Sequence, residues 1–237
     1  DDFLPKPINE PLLLARIEKS LRLRVRERAF RLLESLFPGR FLNTYLALGT
    51  VPPSSHEHVG VLFSDIVGFT EFSRNRRPEY VVGCLQRHVE HFEEAGVRHG
   101  VQKIKTIGDA YMGAVGLEDA VDRPAYNLVR FAEDVLRRIR ASGSDFRVRV
   151  GIHVGPVTTG LLGRSRFTFD LWGETVNLAA RMEQYGVPNR ITLSEAASRQ
   201  IADWAEFSDP TRIEDIHNVG RVPVFDFHRW TPAAPDD

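Results

Sequence analysis

The chain has 237 residues, 42% of them hydrophobic and 27% charged, the balance of an ordinary globular protein; collagenous, disordered and disulfide-scaffold classes are excluded. Its 31 basic and 32 acidic residues give a formal net charge of −1, which excludes the basic excess of a nucleic-acid-binding domain. The single Cys84 excludes an intramolecular disulfide and a cysteine-rich zinc site. It fits a cytoplasmic setting, and the lack of an apolar run near the roughly 20 residues needed to span a bilayer predicts no membrane contact from this segment.

The first nine residues read as a strand end and loop. From Pro11 to Leu36 the apolar residues Leu14, Ile17, Leu21, Val25, Leu32 and Leu36 recur at three- and four-residue steps, which predicts a helix with one apolar stripe. Its length and charged flanks suit a coiled coil, although Arg24 and Arg28 break a clean heptad. Pro38-Gly39 ends it, a short helix is predicted over 40–48, and the Pro/Ser-rich stretch 49–56 reads as a linker. The main domain then alternates: a strand over 58–63, a loop to Thr70, a helix over 78–99, a hairpin of 101–106 and 110–115 around Ile107-Gly108-Asp109, a helix over 120–140 and a strand over 146–153. This is strand–helix–strand–strand–helix–strand, an α+β fold with a ferredoxin-like split βαββαβ core. A glycine-punctuated hairpin over 155–163, a helix over 174–185 and a mixed tail of strands and short helices to Trp230 follow, before a polar tail 231–237.

Asp-Asp-Phe-Leu-Pro-Lys-Pro at 1–7, followed by a Leu/Ile helix, resembles the last strand–helix step of a two-component receiver domain, in which the lysine of Lys-Pro, here Lys6, contacts a phosphoryl group. That resemblance implies an upstream receiver domain in the parent chain, with 1–24 as its end and the start of a signalling helix, and 25–55 as a coiled-coil and transducer linker. An extended arm before a helix is the alternative.

Two segments draw attention for their chemistry. In Phe63-Ser64-Asp65-Ile66-Val67-Gly68-Phe69-Thr70 a carboxylate ends a buried strand, where desolvation disfavours it unless something positive, such as a divalent cation, compensates. Gly68 allows a tight turn, so that successive amides can face an anion at a helix start. An aspartate capping the next helix is the competing reading. Asp109, at the tip of the second hairpin, would lie beside Asp65 in a split sheet, and two carboxylates held together repel unless cations separate them. Simple Gly-Asp turn chemistry explains Asp109 but leaves Asp65 and Gly68 unrelated.

Together with KIKTIGDAYM at 103–112, RVGIHVGPV at 149–157 and FDLWGETVNLAARM at 169–182, these residues resemble a class III nucleotidyl cyclase catalytic domain, the adenylyl and guanylyl cyclase family, over about residues 31–230. The resemblance implies a catalytic domain over 56–230 that holds two divalent cations (Mg²⁺ or Mn²⁺). Asp65, the Ile66 carbonyl and Asp109 match the metal ligands. Amides at Gly68, Phe69 and Thr70 match a triphosphate cradle, and Arg149 matches an arginine on the terminal phosphate. Asn177 and Arg181, one helical turn apart, match the transition-state pair, with Asp65 also the candidate proton acceptor beside water or a substrate phosphate.

Lys105 and Asp170 match the base-selecting positions in their adenine form, and adenine agrees with them chemically. It offers an acceptor to an ammonium and a donor to a carboxylate, whereas guanine reverses both edges. One departure stands out: Val219 occupies a place where the family usually has a basic residue, so Arg221 or Arg149 is expected to serve the phosphates. The implied function is an adenylyl cyclase acting on ATP as a homodimer with shared active sites, regulated by the upstream receiver domain. A guanylyl cyclase, or a silent nucleotide-binding signalling module, is the alternative.

Overall fold

A computed structural model describes residues 10–36, 39–163, 167–208, 212–216 and 220–235. The receiver-like segment 1–7 with Lys6, and Val219, lie outside the described residues. The chain divides into two compact units, Asp1–Val51 and Pro52–Asp237.

The first unit contains α1 (Glu10–Leu36) and α2 (Gly39–Leu48). Leu21, Leu23, Val25 and Phe30 of α1 are all exposed, so a portion of the predicted apolar stripe faces outward.

The second unit is built on β1 (Ser54–Ile66), α3 (Phe69–Arg74), α4 (Pro78–His99), β2 (Gln102–Ile107), β3 (Ala110–Val115), α5 (Pro124–Ala141) and β4 (Val148–Leu162). β5 (Thr168–Trp172), α6 (Glu174–Gln184), β6 (Ile191–Ser194), α7 (Glu195–Gln200), β7 (Ala205–Phe207), β8 (Arg212–Ile216) and β9 (Gly220–Trp230) complete it. The strand order is β2-β3-β1-β4-β6-β9-β7, with β5 on β4 and β8 on β9. The first four strands in that order, with α4 and α5, form the expected split βαββαβ core.

Period-two alternation along β4 decides which helix lies on which face. Val148, Val150, Ile152 and Val154 point into the main core with Leu62 of β1, Phe92 of α4, and Leu128, Phe131 and Val135 of α5. The odd-numbered residues of β4 face α6. Gly151 makes that face possible: a Cβ there would sit 1.9 Å from the backbone N of Glu183 and 2.4 Å from the carbonyl carbon of Met182. Helix α6 therefore lies directly on the strand. Gly155 does the same further along β4, with a Cβ position 2.6 Å from the Thr175 hydroxyl.

These glycines correct one sequence expectation. Residues 155–163 do not form a hairpin of their own; they continue β4, which pairs with β1 from Ile66↔Val148 to Ser54↔Thr159 and then turns back through β5. The glycines mark close approach of a helix and of the Trp172 ring rather than a turn. Other boundaries moved less. β1 begins at Ser54, where the sequence reads as linker, and α5 begins at Pro124, with proline in the first turn.

Gly151→Ala should force α6 off the sheet. We expect a loss of about 3 kcal/mol, the upper range for overpacking a closed contact, with a fall in melting temperature of roughly 10 °C. Chemical denaturation followed by circular dichroism measures the first, and an unchanged midpoint would refute this account of Gly151.

Candidate active site

The register of β1 on β4 pairs Asp65 with Arg149, on the face that carries α6. A slip of one residue would turn both into the core face. The β2–β3 turn brings a second acid to the same end of the sheet. Gly108 (φ 64°) takes the left-handed position of the two-residue hairpin, and Asp109 follows it. The Asp109 carboxyl is hydrogen-bonded to Asp65 and accepts from backbone N–H groups of Ile66 and of Asp109 itself. Burial, then the charge and hydrogen bond of Asp65, raise its pKa to about 6.

Arg149 closes this cluster. Its guanidinium donates to Asp65 Oδ2 at 3.1 Å and to the Gln184 carbonyl at 3.3 Å. Its Nε lies 2.9 Å from Glu183 Oε1 but outside hydrogen-bonding alignment, so that contact is one of charge. Glu183 is mostly buried, and desolvation, opposed by Arg149 and assisted by Asp65 and Asp109, lifts its pKa to about 7. Sequence reasoning passed over Glu183. The available signal was its place beside Met182 on the inner side of α6, where Thr175, Ala179 and Met182 repeat at helical spacing and are buried.

Gly68 (φ 76°) caps the short α3 after Val67 N–H bonds to the Arg147 carbonyl at 2.8 Å, and its own carbonyl accepts from Glu71 and Phe72. The first-turn amides at 69 and 70 thereby begin a helix next to Asp65, without intrahelical acceptors.

A second cluster forms elsewhere in the unit. Lys105 Nζ, on β2, lies 2.5 Å from Asp170 Oδ2, on β5, and Asp170 Oδ1 accepts from the Leu171 amide at 2.9 Å. Both side chains are partly screened from solvent, at 31% and 15% exposure. Asn177 and Arg181 lie on α6; Asn177 is exposed, and Arg181 donates to Gln184 Oε1 at 2.6 Å. Arg221 is exposed on β9 opposite Asp215 of β8. Among the described residues no hydrogen bond or ion pair joins Lys105, Asp170, Asn177, Arg181 or Arg221 to the Asp65–Asp109 pair. The predicted residues thus fall into two groups, with Asp65, Ile66, Asp109 and Arg149 together in one and Lys105 with Asp170 in the other.

The donor set at the first group suits a hard divalent cation. Two carboxylates and an adjacent backbone carbonyl are oxygen ligands, and the raised Asp109 pKa marks crowding and burial that a bound cation would relieve. Among the described residues no cluster of three or more His, Cys, Asp or Glu could hold a metal unaided.

The comparisons place this fold and these clusters in a known family. Residues 51–222 match the family model for the adenylate and guanylate cyclase catalytic domain, so the chain belongs to that family. It is 38% identical over 172 residues to the germination-specific adenylate cyclase of Dictyostelium discoideum, covering 70% of this chain and 20% of that protein. It is also 38% identical over 176 residues to guanylyl cyclase C of Sus scrofa, covering 71% and 16%. Among solved structures, the guanylate cyclase domain of RhGC from Catenaria anguillulae, crystallised with GTP, superposes with a TM-score of 0.71 at 30% identity over 75% of this chain and 100% of that one. The chain spans a fifth or less of the length of these curated relatives. Among the described residues no helix is long and apolar enough to cross a membrane.

The acids predict a pH dependence in metal-free protein. Asp109 and Glu183 have folded pKa values raised to about 6 and about 7. Such groups stabilise the fold fully below their unfolded values near 4 and lose that contribution as pH rises through the folded values. Stability in a chelator should therefore decline between about pH 4 and pH 7. Asp109→Asn and Glu183→Gln should each flatten the decline, as read from urea midpoints across that range; an unaltered slope in both would overturn the assignment.

Proposed function

We propose that the domain converts ATP to 3′,5′-cyclic AMP and pyrophosphate. The observation that carries the choice of ATP is the Lys105–Asp170 contact. An ammonium and a carboxylate side by side, each partly desolvated, offer a donor to adenine N1 and an acceptor to its exocyclic amine. Guanine would set its O6 against the carboxylate and its N1–H against the ammonium, and mismatched buried polar groups cost about 1–3 kcal/mol each. Relatives of both kinds exist, so this pair rather than family membership supports ATP.

Asp65, the Ile66 carbonyl and Asp109 would hold the divalent ions. Cations bound there supply Lewis acidity at the ribose 3′-hydroxyl and the α-phosphate. Asp65 is the nearest base to accept the 3′-hydroxyl proton, with water or a phosphate oxygen as its competitors. Arg149, already among the acids, would turn to the terminal phosphate, as amides at Gly68, Phe69 and Thr70 receive the other oxygens. Arg221 would add a cation from the β8–β9 hairpin. Asn177 would orient the ribose, and Arg181 would meet charge that grows at the α-phosphate, where stabilisation raises the rate.

On this reading two copies of the chain build each site. Metal acids come from one, and Lys105, Asp170, Asn177 and Arg181 from the other, with α1 joining the copies as a coiled coil under an upstream receiver domain in a cytoplasmic protein. The exposed Leu21 and Val25 support such a pairing.

Two experiments test the reading. Offered ATP and GTP separately with Mg²⁺ or Mn²⁺, the protein should yield cyclic AMP, with little cyclic GMP. Lys105→Glu with Asp170→Cys should erode that preference at least tenfold in kcat/KM; equal use of both nucleotides by the unaltered protein would refute the base assignment.

The second experiment concerns sharing. Inactive Asp65→Ala and inactive Arg181→Ala chains, mixed and allowed to exchange, should recover up to roughly a quarter of full activity, because a mixed dimer keeps one intact cleft. No recovery despite demonstrated mixed dimers would show that the site is not shared.

A further inference from the structure

Behind α3, away from both clusters, the second unit encloses a cavity of about 220 Å³. Its floor is aromatic: Phe72 of α3 meets Phe146 edge-on at 4.9 Å between ring centroids, and Tyr80 of α4 lies against Phe72 at 6.3 Å. At its base stands His88 of α4, only 5% exposed, whose two ring nitrogens have no hydrogen-bond partner among the described residues. A buried polar group left without a partner costs about 1–3 kcal/mol, and a residue kept in that state calls for an explanation. Packing does not supply one, since the ring contacts Phe92 and Phe146 as any aromatic residue would. Burial, aided by His91, holds its pKa down near 4, so the ring is neutral and presents one donor and one acceptor.

The rim is cationic. Arg87 lines the cavity one residue before His88, donates only to Cys84 Sγ at 3.4 Å, and makes no ion pair among the described residues. Arg76 lies over the Phe72 ring at 4.0 Å and donates to the Phe72 carbonyl. Against these stands one acid, Asp145.

We propose that this cavity binds a small aromatic carboxylic acid: its ring against the wall formed by Phe72, Tyr80 and Phe146, a polar ring substituent on His88, and its carboxylate on Arg87. The volume falls below the ~300–1,000 Å³ of pockets for drug-sized ligands, which sets the limit at about one ring system with a short acid group.

The position gives such a ligand a route to the active site. Phe72 lies on the helix that Gly68 caps, and Phe69 at its start also touches Phe146 at 6.4 Å. The loop that closes the cavity, Ser142 to Phe146, leads directly into Arg147, whose carbonyl holds the Val67 amide. Filling the cavity therefore bears on both sides of the Gly68 turn, and binding shifts the amides at Val67–Thr70. This second step concerns a backbone movement, and its readout does not depend on the cyclase reaction.

The test uses the full ¹⁵N-labelled chain titrated with 4-hydroxybenzoate and with indole-3-acetate, and with 4-hydroxybenzyl alcohol as the uncharged control. Saturable amide shifts at Phe72, His88, Ser144 and Phe146 are expected from at least one acid, weaker from the alcohol, with a second set at Val67–Thr70. Arg87→Glu, an exposed change, should weaken binding at least tenfold. His88→Phe should abolish binding while raising the melting temperature, because it removes the unpartnered nitrogens. No saturable shift by either acid up to about 10 mM, or equal binding by the alcohol or by Arg87→Glu, would overturn the site; shifts that stop at Phe146 would overturn the coupling. Should His88→Phe fail to fold, Arg87→Glu still decides.

Discussion

Two carboxylates that repel each other are held together by the order of the strands, and much of the site follows from how that repulsion is relieved. The split topology places β1 and β3 side by side, so the end of one strand and the turn before the other meet at one edge. Asp65 and Asp109 have no freedom to separate. In the structure Arg149 takes up some of the charge, and burial, then the charge of Asp65, pushes the Asp109 pKa up to about 6, so protonation relieves the rest as pH falls. Both reliefs are weak and replaceable. On the proposed reading the guanidinium shared with Glu183 and the Gln184 carbonyl swings to a phosphate, and a divalent cation takes the place of a proton at the acids. The site is thereby set up for ligands that bring positive charge and negative phosphate together.

Glu183 extends this logic into the fold. Its carboxyl sits at the junction where α6 touches β4, and burial there, with a smaller push from Asp65 and Asp109, raises its pKa. The contact exists only because Gly151 lacks a Cβ. The helix that carries Asn177 and Arg181 is thus positioned by a missing side chain, and its Glu183 shares Arg149 with Asp65.

Much of this was legible in the sequence, and the failures are instructive. Hydrophobic periodicity recovered the split core, the acids and the Gly68 turn stood out by their local patterns, and Lys105 and Asp170 were singled out only through the family resemblance. What escaped was information held in close approach. A glycine in a strand and a glycine in a turn look alike in one dimension, so residues 155–163 read as a hairpin when they continue β4. Glu183 was passed over because its neighbours, Arg149 and the two aspartates, lie on other elements. His88 likewise reads as one polar residue on an amphipathic helix. Only the packing of α3 and the 142–146 loop around it reveals that its nitrogens lack partners.

The spacing of Lys105 and Asp109 bears on how such a chain could act. They are four residues apart on one hairpin, at most about 13 Å along the strand. Yet one joins Asp170 and the other joins Asp65, and no contact links the two groups among the described residues. Period-two alternation alone would put residues 105 and 109 on the same side of a regular strand. The turn at Gly108 lies between them, breaks that regularity and lets the two side chains serve separate clusters. A nucleotide that used both clusters of one chain would have to reach between them. Two chains related by a two-fold axis can instead set the acids of one against the lysine–aspartate pair of the other, and then each hairpin contributes to both sites at once. On the proposed reading, the turn at Gly108 therefore belongs to the shared site as much as the charged residues it separates.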